Sequence, residues 1–167
     1  MEIINEAFDK FKDKQGEVVE CLLELLGQIN ELERSIFQRD CVLREKIWKK
    51  ELTAEEISRE NDDLWAFYRE ECRKIVEGRC TEKLLKKGYA RSFSTTPMYG
   101  YIEDEDDCRG TFSMETAKKA VVEFRFTKHS SVNFMHRFTL VPSGETWLVD
   151  AFGYGTEQEG VWHRGHI

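Results

Sequence analysis

The chain has 167 residues and a net charge of −7 from 32 acidic and 25 basic side chains, with no basic stripe to neutralise phosphates, which excludes the usual nucleic-acid reader. Its 40% hydrophobic content suits one domain, which at this length buries roughly 70% of its unfolded surface without a staple. No apolar run approaches the roughly 18 residues of a membrane helix. Five cysteines (Cys21, Cys41, Cys72, Cys80, Cys108) are odd in number and lack CxxC spacing, so they read as reduced thiols. Met1 is followed by an amphipathic acidic segment rather than a signal peptide, and the expected location is the cytoplasm.

The helical part is expected over residues 1–88. Ile3, Ile4, Ala7, Phe8 and Phe11 recur at three- and four-residue steps, predicting a helix over 2–14. A second spans 17–50, with a kink or break expected near Gly27 or Arg39-Asp40. Thr53 and Glu56 form a capping box that opens a third at Ala54, closed by Gly78. Thr81 caps a further short turn, Glu82 to Lys87.

The sheet part is expected over 91–155. Arg91–Thr96 reads as a short strand stopped by Pro97, and residues 109–116 as another. The stretch from Ala120 to Tyr154 then holds three β-rich runs. Val122, Phe124 and Phe126 alternate in the first. Phe134, His136, Phe138 and Leu140 share one face of the second, opposite Met135, Arg137, Thr139 and Val141. Pro142-Ser143-Gly144-Glu145 turns the chain into the third, Trp147–Phe152. Residues 156–167 are expected as a loosely docked tail. Together these predict a single α+β domain, with N-terminal helices packed on a curved antiparallel sheet.

No catalytic or metal motif stands out. The run Glu103, Asp104, Glu105, Asp106, Asp107 lacks the alternation and glycine of a calcium loop and reads as a solvated loop or an acidic docking patch. His136 and Asp150 lie on adjacent strands and form an acid/base pair if the hairpin is tight, whereas an Arg137–Asp150 salt bridge competes for the same carboxylate. His163 and His166 have three-residue spacing, but Gly160 and Gly165 argue against the helix that would aim both at one metal. Phe138, Trp147 and Phe152 line a cavity or, as aromatic residues at strand spacing usually do, fill a core. Cys72 and Cys80 have no adjacent base and read as small buried thiols.

Helices followed by an antiparallel sheet ending in a hairpin with Trp147-Leu148-Val149-Asp150 resemble the nuclear transport factor 2-like fold. That fold is a cone whose helices cover the open side of a bent sheet and leave a cavity. More narrowly, residues 72–154 resemble the immunity proteins of bacterial polymorphic, Rhs-type toxin systems built on it. The matching pieces are Cys80-Thr81-Glu82-Lys83, Arg91-Ser92-Phe93-Ser94, Pro97-Met98-Tyr99 before an acidic insert, His136–Val141, and Gly144–Asp150 with Tyr154-Gly155.

The resemblance implies a protein that is not an enzyme. It would use no cofactor or metal, and it would bind a cognate toxin's C-terminal domain in the producing bacterial cell and block it. A basic nuclease domain would suit the acidic charge, with residues 103–107 as the partner-facing patch and His136, Phe138, Trp147 and Asp150 bordering the cone. It implies no nucleic acid or membrane partner, and a monomer or homodimer. Two other readings are carried. One is a small-ligand binder or acid/base enzyme, isomerase- or dehydratase-like, using the cone cavity through His136 or Asp150. The other is an oligomeric scaffold using the exposed sheet face.

Overall fold

The computed structural model describes residues 1–104, 107–127 and 132–167. It is a mixed α+β fold in which two long helices pack on one six-stranded open sheet of order β1-β2-β3-β4-β5-β6. Four strands form a continuous antiparallel meander: β2 (Cys108–Thr116), β3 (Lys119–Thr127), β4 (Asn133–Ser143) and β5 (Thr146–Thr156). Their alternation follows the sequence. Phe112, Val122, Phe124, Phe138 and Leu140 are fully buried, while their neighbours along each strand are at least partly exposed.

The first segment is not the helix its periodicity predicts. Residues Glu2–Asn5 form strand β1, parallel to β2, and Asp9–Lys14 form a 3-10 turn. Tertiary pairing overrides local spacing here. Ile3 lies over Gly110, where a Cβ would sit 2.8 Å from the isoleucine side chain, so a residue 107 positions away makes room for it. Asn5 then turns the chain by accepting the Ala7 N–H (3.1 Å) and donating to the Lys12 carbonyl (3.0 Å).

Helix α1 (Gln15–Trp48) runs without the expected break. Gly27 faces open space, and Asp40 is held by Arg44 one turn on at 2.6 Å, so neither position needs to bend the helix. Helix α2 (Ala54–Val76) opens on the Thr53/Glu56 capping box, with both reciprocal bonds present. The short α3 (Glu82–Leu85) is capped by Thr81. Arg91–Thr96 is irregular rather than a strand: the Ser92 carbonyl accepts from the Tyr68 hydroxyl (3.0 Å), and Phe93 packs against Trp65 and Tyr68.

The C-terminal segment is docked, not loose. β6 (His163–Arg164) pairs with β5, the Gly165 N–H donates to the Phe152 carbonyl, and Ile167 is buried in the core. Glycine permits the approach: a Cβ at Gly165 would sit 2.3 Å from the Phe152 ring. Trp162 receives the Arg137 guanidinium 4.1 Å above its ring. Among the described residues no helix is long and apolar enough to cross a membrane.

Candidate functional site

The face of the sheet beneath the helices is where a cone cavity would lie, and it is filled with rings. Phe138 stacks on Phe152 with centroids 4.9 Å apart, and Tyr99 meets both edge-on at 5.8 and 6.0 Å. Tyr101 stacks on Phe126 at 3.9 Å. Contacts of this kind add dispersion and quadrupole attraction to area burial. His136 stands among them, 9% exposed, with its Nδ1 and the Tyr101 hydroxyl sharing a 2.9 Å hydrogen bond. Burial raises the Tyr101 phenol well above its ordinary value, so it stays protonated.

Asp150 does not face His136, and it does not pair with Arg137. A two-residue loop, Gly144-Glu145, closes the β4–β5 hairpin, with Gly144 at φ +61° in a primed turn. That moves the pairing two residues from the expected one, and a bulge at Asp150 adds a third, setting Arg137 opposite Gly153 and His136 opposite Tyr154. Arg137 instead bonds Glu123 of β3 (2.7 Å). The Asp150 carboxylate accepts from Thr81 (2.9 Å) and Lys83 (2.5 Å), tying α3 to β5 beside the Cys80–Val149 bridge. Asp150 is therefore an anchor outside the ring cluster.

The hydrogen bond from Lys83, and then that from Thr81, holds the Asp150 carboxyl below its ordinary range. A lowered folded-state value stabilises the fold above the unfolded pKa of about 3.9, and that contribution is lost as pH falls through the folded value. Asp150→Asn is expected to cost about 1 kcal/mol at neutral pH, modest because Lys83 is exposed, with the gap to wild type closing below about pH 4. Urea unfolding across pH reads this.

Helix α1 also buries two polar residues, Asn30 and Glu33, that belong to no sequence motif. Asn30, fully buried, accepts the Tyr99 N–H (3.1 Å) and donates to Glu103 (3.1 Å). Glu33, 4% exposed, accepts the Met98 N–H (2.8 Å). The signal was present as two polar side chains at i, i+3 on an otherwise apolar stripe. The segment they catch carries Tyr99, whose hydroxyl is buried without a hydrogen-bond partner among the described residues. Nearby, Glu33, Tyr68, Cys72, Tyr99 and His166 border a cavity of about 10 Å³, room for about one water. Tyr99→Phe is expected to raise stability by about 1 kcal/mol, because it deletes an unpaired polar atom and keeps the ring. A lower thermal midpoint would show that the hydroxyl is bonded in solution.

The chain matches no family model, no curated protein and no solved structure.

Of the acidic run, Glu103 is held by Arg34 and Asn30 of α1, so it anchors the segment instead of projecting freely. Asp104 and Asp107 are exposed, and Glu105 and Asp106 lie outside the described residues. Trp147 is buried, its indole N–H donating to Glu17 (2.9 Å), a core position under α1. His163 lies 3.8 Å from Glu159 and beside the Tyr154 ring, while His166 borders the small cavity, so the two imidazoles do not converge. Burial pushes the Cys72 thiol up to about 11 and the Cys80 thiol to about 12, which keeps both protonated and unreactive at neutral pH.

Proposed function

We propose that this protein acts by stoichiometric binding, as an immunity protein that neutralises a cognate toxin domain in the cytoplasm of the producing bacterium. The observation that carries the reading is the ring cluster. Phe124, Phe138, Phe152, Tyr99 and Tyr101 occupy the face where a catalytic relative would hold substrate, which leaves the outer surface for recognition. His136 is enclosed by the same rings, and Asp150 is engaged by Thr81 and Lys83, so the two residues on which a cavity enzyme would rely are placed apart and occupied.

The proposal extends to the finer fold, a nuclear transport factor 2-like half-funnel. Register irregularities between Ser113 and Thr116 and between Thr139 and Leu140 support it, since bulges bend the strands that contain them. The net charge of −7 favours encounter with a basic toxin domain, such as a nuclease, and Asp107 adds an exposed carboxylate of the acidic run.

Co-expression tests the function. Cells producing the neighbouring toxin gene's C-terminal domain are expected to survive only when this protein is also made. Killing that proceeds unchanged in its presence, or the lack of any toxin gene beside it across relatives, would contradict the proposal.

A further inference from the structure

Helix α1 meets the strands and their loops through Glu17, Cys21, Asn30 and Arg34, all in its first two thirds. Beyond Ile36 its buried residues are Asp40 and Leu43, and Leu43 stands outside the continuous core. In that region α1 packs with the first two thirds of α2, where Lys46 reaches Glu60 at 3.3 Å and the Arg39 guanidinium lies 4.0 Å over Phe67. Two helices alone cover only one stripe of each other, and here the uncovered side is an open groove of about 410 Å³. Its floor is the buried Leu43 and Leu64 with the more exposed Phe67, and an adjoining groove that shares Arg39, Leu43 and Glu60 with it carries Val42, 55% exposed, along α1.

The walls of the groove differ in charge. Across the two adjoining grooves Arg39 and Lys46 stand on the α1 side and Glu60 and Asp63 on the α2 side, Lys46 and Glu60 being bonded to each other within the chain. The bias holds along the hairpin, since residues 39–50 carry a net +3 and residues 53–64 a net −4. A helical partner that fits both walls needs a basic and an acidic stripe side by side in antiparallel order. A second copy of this hairpin brings both.

We propose that the groove seats a second copy of the same chain. The two hairpins pack about a two-fold axis into an antiparallel four-helix bundle, with Val42, Leu43, Leu64 and Phe67 in the seam and each α1 basic end beside the other's acidic α2 start. This surface is distinct from the sheet face and does not depend on what the protein neutralises.

The mass of the full chain, followed by sedimentation equilibrium with concentration, tests it. The wild type is expected at twice the 19.7 kDa of one chain. Arg39→Glu with Lys46→Glu, and separately Glu60→Lys with Asp63→Lys, are each expected to give single-chain mass at low salt, and an equimolar mixture of the two to recover the double mass. Val42→Glu, at an exposed position that folding does not require, is expected to give single chains with unchanged helical circular dichroism. Single-chain mass for the wild type at every concentration, a double mass that survives all these changes, or a mixture that stays monomeric would overturn the proposal.

Discussion

Replacing Phe138 by alanine is expected to remove about 3–5 kcal/mol of stability, a large part of the roughly 5–15 kcal/mol typical of a folded domain. Phe138 is fully buried, stacked on Phe152 and edge-on to Tyr99, Phe124 and His136. Truncation loses the transfer free energy of the ring and opens a void that its neighbours, pinned in strands and by the Asn30–Tyr99 bond, fill poorly. Phe8, 56% exposed, supplies the contrast, and Phe8→Ala is expected to change stability by no more than about 0.5 kcal/mol. Urea midpoints compare the two. A Phe138→Ala cost below about 1 kcal/mol would mean that the inner face of the sheet is loosely filled, and would return the cavity reading to consideration.

The second large effect is expected at Asn30. Asn30→Leu keeps the volume and removes both hydrogen bonds, leaving the Tyr99 N–H buried without an acceptor and releasing Glu103 to Arg34 alone. An unpaired buried amide costs about 1–3 kcal/mol, and the lost bond to the Glu103 carboxylate adds to it, so a total of about 2–4 kcal/mol is expected. Amide hydrogen exchange sharpens the test. Protection should fall over residues 98–103 in the variant while α2 and the β3–β4 pairing stay protected. Uniform loss of protection, or none, would show that Asn30 does not fasten this segment to α1.

What could be read from the sequence was what is decided locally. The Thr53/Glu56 box lies within one turn, and the alternation in β2 to β5 follows from a pleat that repeats every two residues, so both were legible. β1 was not, because its partner lies more than a hundred residues away and four residues satisfy helical and strand periods alike. The site was less legible still. His136 and Asp150 do lie on adjacent strands, as their spacing predicts, but a single bulged residue and a shorter loop shift their register and replace Arg137 by Lys83 and Thr81 as the partners of Asp150. Asn30 and Glu33 were visible as polar interruptions of an apolar stripe, yet the amides they satisfy lie 69 and 65 residues further on. Local spacing thus marks the buried polar residues but not their long-range partners.

The proposed role is tested most directly by taking the C-terminal domain of a toxin gene found adjacent to this protein's gene, purifying it, and titrating it with the full chain while following the toxin's own activity. The expected result is a linear loss of activity that reaches zero at one chain per toxin domain, with reduced sharpness at high salt. Full toxin activity in the presence of a molar excess, or complete loss at a small fraction of an equivalent, would contradict neutralisation by stoichiometric binding.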